Sequence, residues 1–492
     1  MSGGTAGSLD RSRPPRSGAV RPFGFPEIAA SALPNGLALR VARMKQVPLV
    51  TASVVLNGGE AVLPDSLAGL AVLTGTALDG GTGSRSGAEL AEAFEEIGSS
   101  LSVHTGWDST TLSLTCLADR KEEAMGLLAE ALLEPAFPPD EVDRFKQQRL
   151  AAIRQRKMDP GSLADDSAAH SLFAEGVPYH RPLAGTVDSV QALGPEHTRS
   201  FWEDRFRPQG GGLVIVGDVD VGEVETLADS YFGGWEGVPD PPIPFDSEPR
   251  NRGGGVVVVD RPGAVQSEIR IGQVGAARSS PHFFPLQIFN SVLGGAFTSR
   301  LMLNLRERRG FTYGVRSRFG FRRKEGPFLI STAVATDVTA DAVREALVPL
   351  RREGVVERTA VAVREADVGV AHELERPAAE RVDVRPRVVH RLVAVVVVGQ
   401  PVALRTDVSD LEDRVPAHVL LDVEVPLVDQ RPAALRVQRP EADRGRAREG
   451  VQREAIRETA EERVECRVAR SLEASLLVER NVLAAVRVAA LV

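Results

Sequence analysis

The order of features in one segment of this sequence recurs further along the chain. In residues 50–82, an apolar strand-like run is followed by a glycine loop, a proline-containing turn, an apolar helix-like run and a Gly-Gly pair. Residues 267–301 contain the same features in the same order. A repeat of this kind predicts two copies of one structural unit, each burying its own apolar faces.

Each copy is predicted to be an α+β unit. In the first copy, "LALRVARM" and "LVTASVVLNGG" are typical of strands, and "GAELAEAFEEIG" has the spacing of an amphipathic helix. Between them, "DSLAGLAVLTGTALDGGTGS" predicts a helix of about three turns that opens at the capping residues Asp65 and Ser66. The fold class is therefore α+β, with two homologous domains.

Changes in composition set the predicted domain boundaries. We expect a disordered leader over 1–29, a first domain over 30–236, a Pro- and Gly-rich linker over 237–254, and a partial second domain over 255–354. Residues 355–492 form an anomalous tail rich in Val, Arg and Ala. None of the 24 aromatic residues lies beyond Phe328, and long runs keep neither a helical nor a strand period. We interpret this tail as the product of a frameshift, which intact mass or resequencing of the gene would test.

The overall composition excludes several functional classes. A net charge of −8 argues against nucleic acid as a partner, because phosphate binding needs a basic face. Cys116 and Cys466 provide no zinc ribbon or disulfide framework. No apolar run is long enough to span a membrane, and the leader lacks the apolar core of a signal peptide. We therefore expect a soluble, cytoplasmic protein.

Common catalytic motifs are missing from the sequence. The glycine loop at 80–83 follows a helix and lacks the Gly-Lys-Ser/Thr ending of a phosphate-binding loop. No two of the eight histidines stand three to five residues apart, so no local metal-binding pair is visible. No Gly-x-Ser-x-Gly nucleophile motif occurs.

The second copy contains the strongest candidate for a functional site. In "NSVLGGAFTSRLMLNLRERRGFTYGVRS", Arg306 offers a fork of hydrogen-bond donors, and Tyr313 offers a phenol on the strand predicted to follow. Both side chains can be directed at one carbonyl or carboxylate. The alternative is structural: an arginine on a solvated helix end with a tyrosine packed beneath it. The residues alone leave both interpretations open.

The sequence resembles the insulinase-like metallopeptidases, which include pitrilysin-type enzymes, mitochondrial processing peptidases and the core subunits of the bc1 complex. The matching text is "LPNGLALRV", "GLAVLTGTALDGGT", "VIVGDVDVGEVETLADSYFGGW", "VVVVDRPGAVQSEI" and "NSVLGGAFTSRLMLNLRERRGFTYGV". These segments follow the family's order over about residues 30–354. The resemblance implies two homologous α+β domains around a peptide-holding cavity, with peptide bound as an added β-strand.

The resemblance also implies that this chain has lost the zinc motif of the family. Active members carry H-x-x-E-H on the first helix, where Val72, Gly75 and Thr76 stand in this sequence. The family's third ligand, a glutamate on a later helix, falls here at Ala151 or Ala152. The first helix is therefore expected to be a scaffold, with no metal bound by this chain.

The Arg/Tyr pair of the family is retained in this sequence. In the family, an arginine and a tyrosine with the spacing of Arg306 and Tyr313 contact the substrate at the scissile bond. Some bacterial members divide the work between two chains. The resemblance thus implies a zinc-free subunit that positions peptide substrate in trans for a partner carrying H-x-x-E-H and zinc. The alternative is a catalytically inactive structural subunit that resembles the bc1 core proteins.

Overall fold

The computed structural model describes residues 24–242, 244–247, 249–250, 255–261, 263–351 and 393–398. The first strand already begins at Ile28, so the prediction of a disordered leader over 1–29 is wrong for its last residues. Ile28 and Ala29 pair with the neighbouring strand. The remainder of the predicted leader, residues 1–23, lies outside the described residues.

A six-stranded sheet forms the centre of the first half. Its strands are β1 (Ile28–Ala32), β2 (Ala38–Arg43), β3 (Leu49–Leu56), β4 (Ser102–Thr105), β5 (Thr110–Leu117) and β6 (Gly212–Gly217). They lie in the order β1-β2-β6-β3-β5-β4. Only the β2–β6 pair of this sheet is parallel. The order places β4 at one edge of the sheet.

Helices pack against this sheet. The helices of the first half are α1 (Leu70–Ala77), α2 (Gly87–Glu96), α3 (Lys121–Leu133), α4 (Pro139–Met158), α5 (Pro160–Leu172), α6 (Val187–Gln191), α7 (Pro195–Arg205) and α8 (Val221–Phe232). A large apolar core forms where α1, α2, α3 and α8 meet the inner face of the sheet. Helix α4 packs against α1, which brings together two helices that are far apart in the sequence.

The second half repeats the sheet of the first. Its strands are β7 (Gly255–Asp260), β8 (Gln266–Val274), β9 (Val315–Phe319), β10 (Pro327–Ala335) and β11 (Val393–Val398), and its helices are α9 (Phe283–Asn290) and α10 (Thr339–Arg351). The order β7-β11-β8-β10-β9 matches β2-β6-β3-β5-β4, and β7–β11 is likewise its parallel pair. The predicted pair of homologous α+β units is confirmed by this shared topology.

One segment of the tail belongs to the second sheet. Strand β11 lies between β7 and β8, where β6 lies between β2 and β3 in the first sheet. The prediction that residues 355–492 stand apart from the preceding fold is therefore wrong for 393–398. A central strand can be a continuous run of β-branched residues without alternation, and "VAVVVV" fits this description. The other residues of the tail, 352–392 and 399–492, lie outside the described residues.

The two halves share a further apolar core. Helix α5 packs on β8 and β11, and its residues Ala164, Ala168 and Leu172 lie in one buried cluster with Val257 and Val259 of β7. The linker also packs against the first half, since the Phe245 ring centroid lies 5.2 Å from that of the buried Tyr179. The halves are therefore held together by apolar packing as well as by the chain.

Polar contacts add to this junction between the halves. The Arg270 guanidinium of β8 binds Asp165 of α5, with Nε and Oδ1 at 2.6 Å. The Arg322 guanidinium stacks on the rings of Trp107 and Tyr179, at 4.6 and 4.2 Å from their centroids. Burial lowers the pKa of the Arg322 guanidinium to about 10. Cation–π contacts of this kind gain strength when they are shielded from water.

The helix predicted to open at Asp65 begins five residues later. Residues Asp65–Leu67 form a short 3₁₀ turn, and α1 starts at Leu70 after Gly69, whose φ of 91° is left-handed. A left-handed residue interrupts helical hydrogen bonding, and glycine adopts it without strain. The predicted capping role of Asp65 is therefore wrong; its carboxylate accepts a hydrogen bond from Arg181 instead.

None of the helices in the described ranges combines the length and the apolar composition needed to cross a membrane.

Candidate functional site

The positions that the resemblance assigns to the zinc motif lie on α1 and α4, two helices that pack against each other. Val72 and Thr76 are half-buried on α1, and Gly75 is buried between them. Ala152 is exposed on α4, the helix that packs against α1. The structure thus brings together the helices that the resemblance assigns to a metal site.

Gly75 has no space for a side chain. A Cβ atom at this position would lie 2.4 Å from Oγ1 of Thr105, far inside a van der Waals contact. Thr105 itself is buried, and its hydroxyl lies 3.1 Å from that of Thr110. Thr110 in turn donates to the carbonyl of Gly58 at 2.6 Å. Hydroxyl groups of the β4–β5 hairpin therefore fill the position that the resemblance assigns to the glutamate base.

A guanidinium group lies at the third position of the motif. Arg149 of α4 donates from Nη2 to Oγ1 of Thr76, at a distance of 3.4 Å. Burial lowers the pKa of the Arg149 guanidinium, and the Glu60 carboxylate acts in the opposite direction. No carboxylate of the described residues lies within ion-pair distance of Arg149. Sequence reasoning missed this residue, although it occupies the apolar stripe of α4 marked by Val142 and Phe145.

A buried ion pair supports the beginning of α1. The Glu60 carboxylate accepts backbone N–H groups from Gly69 at 3.1 Å and Val72 at 3.2 Å, which satisfies donors at the helix start. Arg181 binds the same carboxylate at 3.1 Å and also binds Asp65. Burial raises the pKa of the Glu60 carboxyl, against the lowering effect of Arg181 and the two N–H groups. The Glu60 carboxylate thus stabilises the start of α1.

The residues at these positions do not suit zinc. A catalytic zinc site needs three nitrogen, oxygen or sulfur ligands from the protein, and Val72, Gly75 and Ala152 offer none from their side chains. The Thr76 hydroxyl donates to the carbonyl of Val72 at 2.9 Å and faces the Arg149 guanidinium. Within the described ranges, no group of three or more His, Cys, Asp or Glu side chains could hold a metal ion.

Arg306 lies in the second half on the π-helical segment Met302–Arg308. Its guanidinium carbon stands 4.7 Å from the centroid of the Phe297 ring, and Nε lies 3.4 Å from Oε1 of Glu307. Phe297 is 66% exposed, although it is a large apolar side chain. The stacked ring limits the orientations of Arg306 and leaves an aromatic surface beside it. Sequence reasoning did not identify Phe297.

Tyr313 follows Arg306 by seven residues in the sequence and is almost fully exposed. It is 91% exposed and precedes β9, so the prediction that it lies on the strand is wrong by two residues. The Thr332 hydroxyl donates to the carbonyl of Gly314 at 2.9 Å and lies 3.1 Å from the Thr312 hydroxyl. Both residues that flank Tyr313 are therefore fixed to β10. A phenol held at the tip of an anchored turn is not packed beneath the arginine.

Two α+β halves that share one sheet topology agree with the fold implied by the resemblance to insulinase-like peptidases. The family model described as "Insulinase (Peptidase family M16)" matches residues 40–187, and the model described as "Peptidase M16 inactive domain" matches residues 192–357. This chain belongs to the insulinase, or M16, peptidase family.

Similar proteins and solved structures agree with this assignment. An uncharacterized zinc protease of Mycobacterium leprae is 26% identical over 67% of this chain and 75% of its own length. An uncharacterized zinc protease of Streptomyces coelicolor is also 26% identical, over 60% of this chain and 65% of its own length. The chain thus spans about two thirds to three quarters of these relatives.

Crystal structures of two bacterial proteins have the same fold. One is a peptidase M16 inactive domain from Pseudomonas fluorescens, which has a TM-score of 0.64 at 21% identity and covers 76% of this chain and 98% of its own. The other is a protease from Helicobacter pylori, which has a TM-score of 0.66 at 16% identity and covers 76% of this chain and 100% of its own.

Proposed function

We propose that this chain is the zinc-free subunit of a two-chain insulinase-like metallopeptidase. Arg306 and Tyr313 position peptide substrate, and a partner chain carrying H-x-x-E-H supplies the zinc and the base. The observation that carries this proposal is the exposed phenol of Tyr313, held on an anchored turn seven residues after Arg306 in the sequence. An exposed aromatic side chain on a fixed backbone is suited to contact another molecule.

The chemistry of the pair fits the hydrolysis of a peptide bond. When a nucleophile attacks a peptide carbonyl, negative charge develops on the carbonyl oxygen. A phenol O–H and a guanidinium N–H both donate hydrogen bonds to such an oxygen, and donors that are already in place are the most effective. Phe297 restricts the guanidinium of Arg306, and Thr332 restricts the backbone that flanks Tyr313.

The degenerate motif supports the division of labour between two chains. Zinc ligands and a general base are not provided by Val72, Gly75, Thr76 and Ala152. Hydrolysis therefore requires these groups from another source. The Gly75 position is also closed by Thr105, so the local packing leaves no space for a glutamate side chain there. A partner subunit would supply what these positions lack.

The first test is native mass spectrometry of the full chain, purified by affinity from its own cells, with zinc quantified. We expect a second chain of similar size and one zinc ion in each pair. A chain that is found alone and free of metal would contradict the two-chain proposal. The intact mass from the same measurement tests the frameshift interpretation of the tail.

The second test replaces the phenol in the purified complex. Tyr313→Phe is expected to lower the turnover of a peptide substrate by about 100-fold, the effect of losing one donor to an oxyanion, with assembly and zinc content unchanged. Tyr231→Phe is the matched control. Tyr231 packs beside Gly126 in the first half and is far from Arg306 and Tyr313 in the sequence. Unchanged turnover in Arg306→Gln and Tyr313→Phe would instead favour a structural subunit, as in the bc1 core proteins.

A further inference from the structure

The surroundings of Arg149 are unusual for a half-buried arginine. Arg149 follows the buried residues Val142 and Phe145 along one stripe of α4, and Ile153 continues that stripe. Such a position is ordinarily apolar because it faces the core. Here the guanidinium faces α1 and lies 3.4 Å from the Thr76 hydroxyl.

The charge of Arg149 has no carboxylate partner among the described residues. The acid whose charge acts on it, Glu60, is bound by Arg181 and by two backbone N–H groups of the α1 start. A guanidinium carries five N–H donors, and the Thr76 oxygen satisfies one of them. Removing such a group from water without a counter-charge is costly, so a bound anion would stabilise it.

A ligand can reach this position from the open side of the helix pair. Ala151, Ala152 and Gln148 are exposed on α4, and Thr76 is half-buried on α1. Ala152 follows Arg149 by three residues, about one turn of α4. Arg149 is itself half-buried, so part of its side chain is accessible to solvent.

An extended peptide has a path to Arg149. Strand β4 is the last strand in the order of the first sheet, and α1 packs against it. Val103 and Thr105 of β4 approach Gly75 of α1. The outer edge of a strand offers backbone N–H and C=O groups to an added strand. A peptide that pairs with β4 would therefore pass near α1 and the guanidinium.

We propose that Arg149 and Thr76 form a binding site for a carboxylate of a peptide that lies along β4. This inference rests on the proposed function in that the occupant is a peptide. The fork of the guanidinium matches the two oxygens of a carboxylate. The carboxylate comes either from the C-terminus of the peptide or from an Asp or Glu side chain within it. A position that holds a cation in the active family members thus binds an anion in this chain.

Calorimetric titration of the full-length protein with three peptides tests the proposal. All three are N-acetylated and built from Ala, Val and Thr; one has a free C-terminal carboxylate, one a C-terminal amide, and one an amide together with a single internal Glu. We expect at least one of the two acidic peptides to bind about tenfold more tightly than the neutral amide, the scale of a hydrogen bond to a charged group. The peptide that gains affinity identifies the source of the carboxylate.

Two variants of α4 assign the effect to Arg149. Arg149→Gln should abolish the preference for the acidic peptide and leave the affinity of the neutral amide unchanged. Arg149→Lys keeps the charge and should retain part of the preference, which distinguishes loss of the site from loss of the fold. Arg154→Gln, at an exposed position on the same helix, is the matched control and should keep the full preference.

The outcomes separate this site from the proposed subunit role. Equal affinity for all three peptides, or an acidic preference that persists in Arg149→Gln, would overturn the carboxylate site. Failure of the subunit role would appear instead as unchanged turnover in Tyr313→Phe, a variant of the other half. Binding of the peptides to the single chain requires neither zinc nor turnover, so each proposal can fail without the other.

Discussion

Gly75 of α1 and Thr105 of β4 are in such close contact that a Cβ atom on residue 75 would lie 2.4 Å from the threonine Oγ1. Val103 and Thr110 are also near, with atoms 3.4 and 3.6 Å from the same point. The hairpin β4–β5 and the first helix are therefore packed so closely that residue 75 has no space for a side chain. Gly75 is thus a close-packed residue of the core of the first half.

This contact predicts that Gly75→Ala is destabilising. The added methyl group must displace Thr105, which is buried and hydrogen-bonded to Thr110. Overpacking of this kind costs about 1–3 kcal/mol, against a helix-propensity gain of roughly 0.5–1 kcal/mol from replacing glycine. We expect a net loss in the free energy of unfolding, measured by urea denaturation.

Two further variants complete this prediction. Gly222→Ala is the matched helical control, because its added Cβ meets only Asp220 Oδ1 at 3.6 Å, an ordinary contact. It should be neutral or stabilising by up to about 1 kcal/mol. When Thr105→Ala is present, the loss in free energy of unfolding caused by Gly75→Ala should be smaller by at least about 1 kcal/mol, because the effects of substitutions at neighbouring residues are not additive. An equal cost in both backgrounds would show that the contact with Thr105 is not the cause.

The repeat in the sequence predicted the architecture because it appears in local features. The apolar strand, glycine loop and helix order of residues 50–82 and 267–301 became β3 with α1 and β8 with α9. The two sheets share one strand order, as expected for two copies of one unit. Local sequence patterns do not predict what that strand order is. Strand β11 was missed, since a central strand of valines has no alternation to detect.

Residues of the candidate site were harder to predict because they depend on contacts between distant segments. Arg149 approaches Thr76 across the α1–α4 packing, and Arg181 reaches Glu60 across more than a hundred residues. A detectable signal did exist for Arg149, since a charged residue at a core-facing position of an amphipathic helix is unusual. By contrast, the exposure of Tyr313 depends on its anchored turn. The periodicity of apolar residues in the sequence does not reveal such a turn.

Removing Arg181 should be one of the most damaging single changes in the first half. Arg181→Met leaves the Glu60 carboxylate buried without its cation, and breaking a buried ion pair in this way costs about 3–5 kcal/mol. Equilibrium denaturation in urea measures the loss. The neutral amide of Glu60→Gln needs no cation. The double variant Arg181→Met with Glu60→Gln should therefore recover part of the lost stability. A double variant as unstable as Arg181→Met alone would show that the charge is not responsible.

The anchor of the Tyr313 turn predicts a local change without a change of the phenol. Thr332→Val keeps the shape of a buried side chain and removes the hydroxyl bound to Gly314. Loss of about 1 kcal/mol of hydrogen bonding should increase opening of the turn, and so chymotrypsin cleavage after Tyr313, by about fivefold. Mass spectrometry of the fragments measures the rate. Thr51→Val is the control, because it removes the exposed Thr51–Thr115 contact of the first sheet. It should leave the rate of cleavage after Tyr313 unchanged.

His170 of α5 lines a cavity of about 330 Å³ between α5 and β7, and it predicts sensitivity to acid. Burial lowers the pKa of His170 below 6.5, with further lowering from Arg250 and His180 and an opposing effect of Glu175. Arg250 donates from Nη1 to Nε2 of His170 at 2.9 Å, which requires the neutral ring. The folded state therefore binds fewer protons than the unfolded state just below pH 6.5.

This proton difference fixes the sign of the pH dependence. Where the unfolded state binds more protons, the free energy of unfolding rises with pH, so acidification through pH 6.5 should destabilise the protein. His170→Gln should reduce this decline, because an amide does not titrate and can still accept from Arg250. Arg250→Met removes a charge that lowers the pKa of His170, and it should narrow the pH range of the decline. Urea denaturation at a series of pH values measures both effects. A decline in His170→Gln as steep as that of the unchanged protein would assign the acid sensitivity to other groups.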